Sequence, residues 1–230
     1  MRWDPFSTLR RALWIGGGQW AGKSTVAGIL AERHGLTHYH YDYHDARGHH
    51  DRRTLRRIRR GEPAEPDQET VWVRTTPEEM ARRALDDFAE RFEWVKDDLA
   101  ALVSPRPILA EGWGLRPELV APVAGSTRRM VVMVPTEEFR QRQLARLPRA
   151  GRLGLEVSDP TLGQRHRIER DRLLADDAVR GARRLEIRVI EVDGSRDAEG
   201  VADLVAEYFA PFLAERSQPV ARFALRHAAG

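Results

Sequence analysis

The residues best suited to chemistry stand together near the start of the chain. Gly17-Gly18-Gln19-Trp20-Ala21-Gly22-Lys23-Ser24 spaces two glycines, an ammonium and a hydroxyl as G-x-x-x-x-G-K-[ST], without a gap. Glycine lets the backbone turn so that successive N–H groups point at one anion. A helix beginning at the same point adds its positive end. Lys23 is then set to reach the outer phosphates of a polyphosphate. Ser24 is set to ligate magnesium, with Thr25 on the α-phosphate side. Residues Gly17, Gly18, Gln19, Trp20, Ala21, Gly22, Lys23, Ser24 and Thr25 are therefore expected to hold a nucleoside triphosphate, ATP with Mg2+. Lys23 is conspicuous in another way. The chain has only one other lysine, Lys96, and uses arginine almost everywhere else. A compact ammonium fits between phosphates where a planar guanidinium does not.

Such a loop needs a strand before it and a helix after it, and the pattern supplies both. Leu13, Trp14 and Ile15 form a short apolar strand. Val26, Ile29 and Leu30 recur at helical spacing over Lys23 to His34, and Gly35 closes that helix. Further strands are expected over Thr37 to Asp42, Pro107 to Glu111, Arg129 to Val134 and Leu185 to Val192. Helices are expected from Pro135-Thr136 through Leu147, over Gln164 to Arg180, and after Asp193-Gly194-Ser195 to about Leu213. Strands alternating with helices imply an α/β fold: three layers, α/β/α, around a five-stranded parallel sheet.

Residues 43–106 differ in character, being polar and charged. Within them Thr76-Pro77-Glu78-Glu79 is a capping box with proline at the first helical position. It opens a long amphipathic helix whose stripe is Met80, Ala84, Phe88, Phe92, Val95, Leu99 and Leu102. Residues 148–165 are rich in glycine and arginine and read as a mobile loop. Residues 216–230 read as a loose basic tail. The 230 residues suit a single domain with this helical insertion.

Composition bounds the remaining classes. Apolar residues make up 41% and charged residues 32%, ordinary for a soluble protein. There is no cysteine, hence no disulfide framework and no thiolate metal site. No apolar run is long enough to cross a bilayer, and no targeting segment is visible, so a cytoplasmic protein without membrane association is expected. The net charge is +3 and the pI about 9.6. The arginines are interspersed with acids along helices, which describes a solvated face better than a nucleic-acid surface.

The phosphate loop and the order of elements resemble the small-molecule kinase branch of the phosphate-loop nucleotide-binding proteins. That branch includes nucleoside monophosphate, shikimate, gluconate and adenylylsulfate kinases. The resemblance spans most of residues 12–213 and is specific at the loop. Other branches fit less well. There is no N-K-x-D motif for guanine. Leu162-Gly163-Gln164-Arg165 faintly echoes a transport-ATPase signature, but the strand after it carries Arg188 and lacks an Asp-Glu end.

The resemblance implies that residues 43–106 fold over an acceptor and that residues 148–165 close as a lid. It makes Asp42 a candidate base or hydroxyl-orienting group, with a turn-capping aspartate as the alternative. It makes Glu111 a candidate contact to a magnesium-bound water or to the acceptor, although an aspartate is usual there. Arg146 and Arg149 are candidate neutralisers of the transferred phosphoryl group. Arg142 and the turn Asp193-Gly194 are candidate nucleotide contacts near the adenine. His38, His40, His44, His49 and His50 lie among Asp42, Asp45 and Asp51 without standard metal-ligand spacing, and line the acceptor pocket or the surface beside it. The implied function is transfer of the ATP γ-phosphate to a hydroxyl or phosphate of a small molecule such as a nucleoside, nucleotide, sugar or antibiotic. A hydrolysing regulator and a nucleic-acid end kinase are the alternatives. A small-molecule acceptor is the expected partner, with a homodimer as a candidate assembly.

Overall fold

The computed structural model describes residues 7–102, 106–147 and 156–214. In chain order the elements are α1 (Thr8–Arg11), β1 (Leu13–Gly17), α2 (Lys23–His34), β2 (Thr37–His40), α3 (Tyr41–Tyr43), α4 (His50–Arg59) and α5 (Pro77–Ala101). There follow β3 (Ile108–Glu111), α6 (Pro117–Val120), β4 (Met130–Pro135), α7 (Glu137–Arg146), α8 (Pro160–Arg184), β5 (Arg188–Val192) and α9 (Ala198–Ala214). Two π-helical turns, His44–Gly48 and Thr70–Arg74, flank α4 within the insertion.

The five strands form one parallel sheet in the order β2-β3-β1-β4-β5. Strands β1, β3 and β4 are buried along their whole length, as apolar runs without alternation require when helices cover both faces. Side chains still alternate between the faces. Trp14, Met130 and Val132 join Phe88, Phe92, Val95, Leu99, Leu174 and Ala178 under α5 and α8. Leu13, Ile15, Val131 and Met133 join Val26, Leu30, Val205 and Phe209 under α2 and α9. The arrangement is the three-layer α/β/α fold expected from the sequence, with α5 contributing directly to the main core.

Three boundaries depart from expectation. Strand β2 stops at His40, and Asp42 lies in the helical turn α3 rather than at a strand end. The aromatic–histidine alternation runs on past the strand, but there the Tyr43 N–H bonds to His40 Nδ1 at 3.4 Å and closes a turn. Tyr41 is then buried against the end of β3, where a Cβ on Gly112 or Gly114 would overlap its ring. Helix α8 starts at Pro160, so residues 160–165 are helix rather than loop. Asp159 caps it by accepting the Leu162 N–H at 2.8 Å, and proline takes the first helical position. Strand β5 begins at Arg188 because Leu185 ends α8 and Glu186 turns the chain at φ 55°.

Candidate active site

The phosphate loop leaves β1 at a glycine that no other residue replaces. Gly17 has φ 116°, and a Cβ there would overlap the backbone of Met133 in β4. The Gly18 N–H donates to the Met133 carbonyl at 2.9 Å. Gly22, at φ 77°, opens α2. Ala21 is buried, Gln19 and Trp20 are half-buried, and Ser24 and Thr25 face solvent on the first turn of α2. This puts the loop at the carboxyl edge of the sheet, beside the end of β3.

Lys23 is buried, and its Nζ donates to the Gly18 carbonyl at 2.6 Å. Burial holds its pKa below the ordinary lysine value, while nearby Asp42, Glu111 and Asp171 oppose that shift. Ser24 Oγ donates to Glu111 Oε2 at 3.2 Å. Glu111 is fully buried, and its other oxygen, Oε1, lies 3.1 Å from His40 Nδ1 and 3.7 Å from His38 Nε2. Asp42 is raised from 3.8 to about 6. Burial is the first cause and Glu111 adds to it, while Lys23, His40 and the Trp113 N–H oppose it. The side chains of Lys23, Ser24, Asp42 and Glu111 therefore converge from three separate elements.

In this group Asp42 Oδ1 is buried without a hydrogen-bond partner among the described residues, and buried Glu111 Oε1 meets only the His40 and His38 rings. Buried acceptors are normally satisfied, so this pair of carboxylates suits a cation or its bound water. Hard oxygen donors beside a serine hydroxyl fit hydrated Mg2+, which keeps several waters and takes few protein ligands. Among the described residues no three His, Asp or Glu side chains group to hold a metal alone. The histidines beyond His40 are engaged otherwise. His49 Nε2 lies 2.8 Å from Asp98 Oδ2, and His44 stacks on Tyr39 at 4.3 Å.

Among the described residues, the arginine seen against the loop comes from α8. Arg146 is exposed on the last turn of α7, and Arg149 lies outside the described residues. Instead α8 brings Arg167 over the Trp20 ring at 5.4 Å. One turn on, Arg170 lies 5.2 Å from both the Trp72 and Trp113 rings and bonds Asp171 Oδ1 at 2.6 Å. Asp171 is itself buried and acts on Lys23. Trp72, Trp113, Arg167, Arg170 and Asp171, none of which the sequence singled out, thus gather along α8 beside the loop. Arg142 does meet the turn after β5. It donates to the Asp193 carbonyl and packs on Gly194, which has φ 82°. Asp193 Oδ1 accepts from Ser195 N and Oγ, which holds its carboxyl below the usual range.

Comparison with solved structures finds similar chains. A gluconokinase from Sinorhizobium meliloti 1021 is 15% identical, with 90% of this chain and 95% of that one covered and a TM-score of 0.47. A shikimate kinase from Acinetobacter baumannii, in complex with shikimate, is 17% identical over 91% and 98% of the two chains, with a TM-score of 0.45. A shikimate kinase from Aquifex aeolicus vf5 is 14% identical over 86% and 95%, with a TM-score of 0.39. No family model matches, and no curated protein does. No helix among the described residues is long and apolar enough to cross a membrane.

Proposed function

We propose that this chain is an ATP-dependent phosphotransferase that moves the γ-phosphate of Mg-ATP to a hydroxyl or phosphate of a small molecule. The observation that carries the reading is the convergence of Lys23, Ser24, Asp42 and Glu111, with Asp42 Oδ1 buried and unpartnered among the described residues. A simple phosphate-holding loop needs only the first two. The second carboxylate gives the site a group for an acceptor.

The loop amides and the N-terminal end of α2 bind the polyphosphate. Lys23 exchanges the Gly18 carbonyl for the outer phosphates. Ser24 and Glu111 would hold Mg2+ beside the phosphates. The ion, when bound, screens phosphate charge and orients the chain of phosphates. Asp42, with its pKa near 6, is mostly ionised at neutral pH, yet basic enough to accept the acceptor's proton as its oxygen attacks. Arg167 neutralises charge spreading over the transferred group from the α8 side. Trp72, Trp113 and Arg170 wall the acceptor side.

The test is ADP release from Mg-ATP with a panel of nucleosides, nucleotides, sugars and hydroxylated antibiotics. Acceptor-stimulated release that falls in Asp42→Asn with ATP affinity retained supports the reading. Release that no acceptor changes, with full turnover in Asp42→Asn, favours a hydrolysing protein instead. Glu111→Gln is expected to raise the magnesium concentration needed for half-maximal rate by about tenfold.

A further inference from the structure

A cavity of about 440 Å³ opens between β4, β5, α7 and α8, on the other side of α7 from the nucleotide turn. Helix α7 straddles the top of the sheet. Its Phe139 packs with the α2–α9 layer and, with Arg142, flanks Gly194. Arg140 faces the opposite way, into the cavity, whose floor is Val134, Ala175 and Val179 of the α5–α8 layer. The volume lies in the range of small-molecule sites.

The walls are cationic. Arg140 is 5% exposed, and its Nη1 donates to Glu137 at 3.2 Å while its Nε–H has no partner among the described residues. Arg180 makes one long contact, 3.3 Å to Asp177. Arg183 lines the cavity with no side-chain partner among the described residues. Of the two acids there, Asp176 is held by Arg172 at 3.1 Å, leaving Glu191 against three guanidinium groups. Planar guanidinium groups above an apolar floor suit a compact phosphate or carboxylate head on an apolar body.

The same floor backs the phosphate loop. A Cβ built on Gly18 would lie 2.9 Å from Ala175, 3.3 Å from Pro135 and 3.6 Å from Val134, and all three residues line the cavity. The Gly18 carbonyl is the group that Lys23 holds. An occupant of the cavity therefore rests on the side chains that set the position of Gly18. We propose that this cavity is an effector site for a small organic anion, and that its occupancy changes the affinity of the phosphate loop for ATP.

Calorimetry on the full chain tests this with phenyl phosphate and benzoate as probes, titrated into free protein and into protein saturated with a non-hydrolysable ATP analogue. The readout is binding, so it does not depend on the chain being a phosphotransferase. The expected result is one saturable site per chain, with dissociation constants that differ by about threefold or more between the two forms, because coupling is reciprocal. Val179→Trp fills the floor and Arg183→Ala removes an exposed guanidinium. Each is expected to weaken the probes by about tenfold, and Arg183→Ala, which leaves the floor as it is, is expected to leave binding of the ATP analogue alone unchanged. Absence of saturable binding overturns the proposal, as does binding that survives both variants. Equal constants in the two forms overturn the effector role. One-for-one competition with the ATP analogue places the probes in the nucleotide cleft and also overturns it.

Discussion

On the proposed reading the cleft has a nucleotide half and an acceptor half, and the two are built by different means. The nucleotide half is mostly backbone: one stretch from Gly17 to Thr25, shaped by glycines against Met133, with a single buried ammonium. The acceptor half is mostly side chains, drawn from α3, the end of β3, the Thr70–Arg74 turn, the loop at Trp113 and the middle of α8. A backbone site tolerates change wherever glycine and one lysine are kept. A side-chain site is a set of separate choices, each removable by itself. On that reading the first half is a general device for triphosphates, and the second is where specificity would reside.

That contrast orders the expected effects of substitution. Lys23→Ala is expected to lower turnover by about 10³-fold and to weaken ATP. Lys23→Arg restores little, because a planar fork does not fit the buried position. Asp42→Asn is expected to cost roughly 10²-fold in turnover while sparing ATP affinity. A matching loss of ATP binding in that variant breaks the contrast.

Asp42 also predicts pH behaviour. A free aspartate titrates near 3.8 and this one at about 6, so the folded chain binds its proton more tightly than the unfolded chain. Its contribution to stability is complete below the unfolded value and is lost as pH rises through about 6. Asp42→Asn is thus expected to be more stable than the parent at pH 7, on the order of 1–3 kcal/mol, with little difference near pH 3. Thermal melts against pH check this. In the same protein kcat/KM rises through an apparent pKa near 6, and the variant loses that limb.

Arg167→Ala is expected to reduce kcat by roughly tenfold or more with little change in ATP affinity, which sharpens the assignment of α8 over α7. The same change at Arg146 is expected to leave kinetics within about twofold, since its side chain is exposed. The smallest effect is expected far from the chemistry. Thr76 accepts the Glu79 N–H at 3.3 Å at the start of α5, and Thr76→Ala is expected to cost about 1 kcal/mol in denaturant titration without altering turnover.

The contrast also explains what could be read in advance. The phosphate loop, β1 and α2 were legible because every part lies within one short window and obeys local rules. The cap at Thr76 and the apolar run of β4 were legible for the same reason. Asp42 was placed on a strand that in fact ends earlier, because alternating aromatics do not reveal a helical turn closed by His40. The Asp159-Pro160 start of α8 obeyed a known rule, but the glycine and arginine content around it suggested loop. Arg167, Arg170 and Asp171 were not legible at all. All but two of the 38 basic residues are arginine, so no single one stands out until the fold selects it. Trp72 and Trp113 lie 41 positions apart in the chain, and only a shared neighbour on α8 makes them a pair.

Helix α8 runs unbroken from Pro160 to Arg184. Ala175 abuts the Gly18 wall, and Arg167 sits eight residues earlier, roughly 12 Å along the axis. Ser158, just ahead of the helix, is fastened to Glu69 of the insertion by two hydrogen bonds. One continuous element therefore carries the contact to Gly18, the guanidinium over Trp20 and, just ahead of its start, the tether to the insertion. On the proposed reading, the segment that covers the acceptor and the cation that faces the transferred group are thus ends of one connected structure, and Glu69→Ala would part them.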